Sequence, residues 1–289
     1  MAGGILLGQG GFLDQLRSGA VVDRASVLVE LFVLAQPEYD LAGEVFSGCL
    51  ELLEAKKLSP EELAPHLPKI MDIWRSTYAK VRGRQQKARS SRRTTAPSYH
   101  HARELSRTLL ELFGHFPSNI VLEALHDGVS LSDQRIKLAA AMSLLRLHQP
   151  VDARELENIA AGNEGRIRLW RGLKKLGLES SMPKQWAGTA ELAASSLADW
   201  ASSPLEMGVI PEEIELMDVF PTEGEEGILD VYLFRFRQCK GDSSRPSARW
   251  VAGIAGPFHR GEELSSPWSA FQAWDAMPPK AHFKKLYLR

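Results

Sequence analysis

The feature that most constrains this chain is a change of hydrophobic period. From about Phe12 to Trp200, apolar residues recur at helical spacing; beyond Ser202-Ser203-Pro204 they alternate from one residue to the next. Such a chain stacks helices first and builds a sheet afterwards, and it lacks the strand–helix alternation that produces a parallel sheet. The helical part begins with Val27, Leu28, Leu31, Val33 and Leu34, followed by Leu41, Val45, Phe46, Leu50 and Leu53. Ser59-Pro60-Glu61-Glu62 predicts a helix start, because a hydroxyl caps the free N–H groups, proline suits the first turn and acids suit its dipole. Leu67-Pro68 restarts a helix carrying Ile70, Ile73, Trp74 and Tyr78.

A repeat is visible in the middle of the chain. Arg135-Ile136-Lys137-Leu138, leading to Leu145 and Leu147, lies over Arg166-Ile167-Arg168-Leu169, leading to Leu176 and Leu178, at a constant offset of 31. The preceding helices, Val121–Leu125 and Leu156–Ala160, match at an offset of 35. Each unit reads as a helix, a turn and a second helix opening on an exposed arginine. One such pair cannot bury its own apolar stripe, so neighbours must stack.

The stretch from Ala102 to Pro183 resembles a HEAT-type α-solenoid. After it, Glu213–Phe220 alternates as a strand, and Val231-Tyr232-Leu233-Phe234-Arg235-Phe236-Arg237 is the strongest strand in the chain. Tyr232, Phe234 and Phe236 share one face of it; Leu233, Arg235 and Arg237 share the other. A polar loop, Gln238–Ala248, leads to a strand from Arg249 to Gly256 closed by Pro257, and a helix from Pro279 to Tyr287 follows. This tail is similar to that of bacterial HEAT-repeat-containing proteins, the similarity covering most of residues 118 to 275. The resemblance implies a mostly α fold: a HEAT-like solenoid of stacked helix pairs with a small C-terminal antiparallel sheet. The expected domains are 1–96 (helical), 97–203 (helical repeats) and 204–289 (α+β), with a loop at Ser90–Pro97 parting the first two. It implies an interaction role and carries over no catalytic residue.

Composition narrows function by exclusion. With 44% hydrophobic and 25% charged residues, the 289-residue chain is that of a folded globular protein. Its apolar runs fall short of the ~20 residues that span a bilayer. Its two cysteines, Cys49 and Cys239, lack metal-ligand spacing, so a cytoplasmic protein with reduced thiols is expected. There is no Gly-x-Ser-x-Gly elbow and no His-Glu-x-x-His, and Gly8-Gln9-Gly10-Gly11 lacks the lysine of a phosphate loop. No enzyme, cofactor or metal is expected.

What remains is binding. The expected function is a protein-interaction scaffold or inhibitor, immunity-like in its concrete version, using Arg135, Lys137, Arg166 and Arg168 against an acidic partner. Trp268 and Trp274, in a Ser/Pro-rich stretch, are further docking candidates, whereas Trp250 and Phe234 are expected in the core. The alternative is nucleic-acid binding. Lys80, Arg82, Arg84, Lys87, Arg89, Arg92 and Arg93 place seven positive charges in fourteen residues of a chain whose net charge is −1. An opposite run, Glu206 to Asp230, holds nine acids and no Lys or Arg.

Overall fold

The computed structural model describes residues 39–88, 97–203, 205–208, 210–224, 227–238, 249–259 and 268–287. The Val27–Leu34 cluster and the glycines at 8–11 lie outside the described residues, as does all of the expected 90–97 loop except Pro97. The chain is mostly helical, ends in a four-stranded antiparallel sheet, and divides between Val151 and Asp152 into two compact units.

In the first unit, α1 (Tyr39–Glu54) is followed by the single turn α2 (Pro60–Leu63), which runs through a 3-10 turn into α3 (Leu67–Ala88). The expected cap is present as a reciprocal pair. The Glu62 N–H donates to Ser59 Oγ at 3.3 Å, and the Ser59 N–H donates to Glu62 Oε2 at 2.7 Å. Then come α4 (Pro97–Phe113), α5 (Asn119–Ser130) and α6 (Gln134–Arg146). Helix α4 is the hub, packing against α1, α3, α5 and α6. Its Leu105, Leu109, Leu112 and Phe113 are buried among Phe46, Trp74, Leu125 and Ile136. Gly128 lets α5 come this close: a Cβ there would meet Ala140 Cβ at 2.9 Å and the Leu110 methyls at 3.0 Å.

The second unit opens with α7 (Ala153–Ala161), α8 (Gly165–Lys175) and α9 (Thr189–Ala201). Strands β1 (Pro211–Gly224), β2 (Gly227–Gln238), β3 (Trp250–His259) and β4 (Trp268–Ala273) form a meander in that order, and α10 (Pro279–Tyr287) follows. The sheet is covered on both faces. Val231, Leu233, Ala252 and Ile254 lie under Leu286 of α10. Phe236 and Gly253 meet Leu197 of α9 on the opposite face, where a Cβ on Gly253 would stand 2.8 Å from Leu197 Cδ1 and 2.9 Å from Phe236 Cε1. The two-residue periodicity therefore reads as two apolar faces, each met by a helix.

Two local expectations are corrected. Pro257 does not close β3, which runs on to His259. The ladder tolerates the proline because its register shifts there, Ala255 pairing with Tyr232 and Phe258 with Asp230. The Ser/Pro-rich stretch yields a strand, β4, whose six residues pair with Val251–Gly256.

Candidate interaction surfaces

The two repeat arginines occupy the same helical place, each the second residue of its helix, but neither is an open contact group. Arg166 is only 4% exposed. Its Nε donates to the Ala160 carbonyl at 2.7 Å, and its Nη atoms donate to the carbonyls of Glu191 at 3.0 Å and Ala161 at 3.4 Å. The guanidinium lies 4.2 Å from the Trp186 ring centroid. Burial pushes its pKa down, with Glu191 opposing. Sequence reasoning expected an exposed side chain here; instead its N–H groups donate to the last carbonyls of α7, which have no intrahelical donor. Arg168, half-buried, forms an ion pair instead, Nε and Nη2 donating to Asp199 Oδ1 at 2.9 and 2.6 Å.

Arg135 is half-buried and sits 3.5 Å from Glu104, and Lys137 is half-buried on the same helix. Leu138 and Leu169 are buried as the repeat requires, whereas Leu145 and Leu176 are only partly covered.

The tryptophans exchange their expected roles. Trp250, expected in the core, is half-buried on the sheet face beyond α10. Arg235 and Arg237 lie over its ring at 4.6 and 4.3 Å, and each pairs across to β1, Arg235 with Glu215 at 2.5 Å and Arg237 with Glu213 at 2.8 Å. The cause is alternation: Trp250, Ala252 and Ile254 share a face with Leu233, Arg235 and Arg237, so the ring at the Trp250 end meets guanidiniums. Trp274 is part of the packing instead. It stacks on the buried His282 ring at 4.3 Å, whose Nδ1 lies 2.8 Å from Gln272 Nε2 and whose Nε2 lies 3.3 Å from Asp275. Trp268 opens β4. Phe234 is buried, as expected.

The sequence reading did not single out the exposed apolar residues. Four of the six exposed large hydrophobics among the described residues, Trp200, Leu205, Ile210 and Leu216, fall within one short stretch of chain. Trp200 lies in the last turn of α9, Leu205 is 96% exposed in the following turn, Ile210 precedes β1, and Leu216 is paired with Phe234 on the face that α9 packs against. Scattered apolar residues on a surface are ordinary, but a concentration marks a contact surface. β1 is also an edge strand of the sheet and belongs to the acidic run, with Glu213, Asp218 and Glu223 exposed. The signal was present in the sequence as unpatterned apolar residues between two well-patterned elements.

The basic segment is partly helical. Arg82, exposed, and Arg84, half-buried, lie on α3, and Arg82 stands 5.9 Å from the Tyr78 ring centroid. Lys87 belongs to the last turn of α3, its side chain being outside the described set, and Arg89, Arg92 and Arg93 lie outside the described residues.

No group of three or more His, Cys, Asp or Glu residues that would hold a metal occurs among the described residues. No helix among them is long and apolar enough to cross a membrane. Comparison with family models, with curated proteins and with solved structures finds no match to this chain.

Proposed function

We propose that this is a non-enzymatic protein-binding protein, and that the partner docks on the second unit along the ridge from Trp200 to Leu216. The observation that carries this reading is the run of exposed apolar side chains Trp200, Leu205, Ile210 and Leu216 along the chain from the end of α9 into the edge strand β1. The surrounding run from Glu206 to Asp230 has nine acids and no base, so the complementary partner presents apolar groups flanked by Lys or Arg. Of the cations first expected to meet an acidic partner, Arg135, Lys137, Arg166 and Arg168, Arg166 is buried and Arg168 is paired with Asp199. In this reading the helical part is a HEAT-like scaffold, supported by the shared helical position of Arg135 and Arg166.

The test uses the full chain, tagged in its source organism. Leu205→Ser with Leu216→Lys is expected to remove a stoichiometric co-purifying protein while leaving the far-ultraviolet circular dichroism unchanged. Identical co-purification from wild type and variant would contradict the reading.

A further inference from the structure

Three elements of the first unit converge on one polar node. Tyr99, at the start of α4, lies beside Gln85 of α3 and hydrogen-bonds with Asp133, the residue that caps α6. Gln85 Oε1 also accepts from the Ser132 N–H at 3.2 Å. The C-terminal end of α3 and the N-terminal ends of α4 and α6 are therefore held side by side. Residues 80–88, 97–111 and 133–137 together carry eight Lys or Arg against three carboxylates, Glu104, Glu111 and Asp133. The sequence run alone, read along one helix, does not reveal that Arg103, Arg107 and Arg135 join it.

Positive charge outnumbers carboxylate in the node. Glu104 stands 3.1 Å from Arg103, 3.1 Å from Arg107 and 3.5 Å from Arg135, and Arg107 has a second carboxylate in Glu111, at 2.6 Å. Burial opposes ionisation of Glu104, yet hydrogen bonding from Arg107 and the three positive charges hold its pKa below the ordinary value. Gln85 Nε2 and Arg103 Nε are buried without a hydrogen-bond partner among the described residues. Arg82 and Arg84, on the outer turns of α3, have no carboxylate partner among the described residues; Arg82 has only the Tyr78 hydroxyl, at 3.5 Å.

We infer that this node is a phosphate-binding surface for the backbone of a nucleic acid, separate from the protein-docking ridge of the second unit. The apolar content of the first unit's surface decides against a protein partner here. A protein interface needs an apolar core, and the one exposed large hydrophobic among this unit's described residues is Ile120, on α5. Nucleic-acid interfaces are polar and strongly positive, and arginine suits phosphate through its paired donors. No base-edge reader is needed, so binding is independent of sequence.

The test is fluorescence anisotropy of a labelled DNA duplex of about 20 bp with the full-length protein, titrated from about 50 to about 300 mM salt. A log–log salt slope of about −3 to −5 is expected, with Arg82→Gln/Arg84→Gln weakening binding at least about tenfold at about 100 mM salt and reducing the slope by about two. The thermal melt of that variant should match wild type, since neither side chain holds a carboxylate. Arg171→Gln, exposed on α8, should bind as wild type does. No binding at the lowest salt overturns the inference, as does a double variant that binds equally well. Competition by a polyglutamate peptide as effective as unlabelled DNA also overturns it, assigning the surface to an acidic protein.

Discussion

At the scale of single residues, an arginine and a tryptophan show how far side-chain role depends on tertiary context. Arg166 spends all three of its donor nitrogens on backbone carbonyls and its planar face on Trp186. Arg166→Ala should therefore destabilise the protein by roughly 2–4 kcal/mol in urea unfolding, since it strips partners from buried carbonyls. Trp250→Ala, for which a core position implies roughly 3–5 kcal/mol, is expected to cost only about 1–2, because one face of the ring carries guanidiniums and the site is half-open. Nothing in a one-dimensional pattern separates these cases: Arg166 opens an amphipathic helix as a surface arginine does, and Trp250 begins a strand as a core residue does. Cys49 is simpler. Burial raises its thiol to about 12 from 9.0, so it should resist thiol reagents in the native protein at neutral pH. Because the folded pKa is the higher one, the associated stability is present in full below 9.0 and falls as pH rises toward 12.

At the scale of elements, the legible parts were those whose ends or faces are determined locally. Ser59 and Glu62 form their cap within four consecutive residues, and α10 runs from Pro279 to Tyr287, the span read from the chain. Tyr232, Phe234 and Phe236 face α9 while Leu233 faces α10, as alternation requires. What was not legible depends on distant partners. β4 is a strand because β3 offers it a ladder, and its own six residues lack a strong pattern. The start of α8 has no side-chain cap of its own; Ser195 of α9 accepts from the Ile167 N–H at 2.9 Å and donates to the Asn163 carbonyl at 2.5 Å. Ser195→Ala should lower stability by about 1–2 kcal/mol, as loss of a helix cap does, with α8 amides exchanging faster by mass spectrometry. Gly253→Ala tests the sandwich of α9 on the sheet: with contacts of 2.8–3.1 Å awaiting its methyl, it should cost about 1–3 kcal/mol.

At the scale of the whole molecule, the change of period near Pro204 marks a change of element type, whereas the compact units part at Val151–Asp152. The reason is that α9 buries its apolar stripe on the sheet, so helices and strands share one core. The candidate surfaces were legible only in outline. Charge runs could be read from the chain, but which cations remain available depends on packing, and the ridge at 200–216 was hidden by its lack of pattern. The central claim is that this ridge is a protein-docking surface, and site-specific photocrosslinking in the source organism tests it most directly. A photoreactive phenylalanine analogue at Leu205, where the native side chain is 96% exposed, is expected to give one dominant covalent adduct with a second protein. The same analogue at the exposed Glu157, on α7, should give none. Equal adduct patterns at both positions, or none at Leu205, would contradict the account.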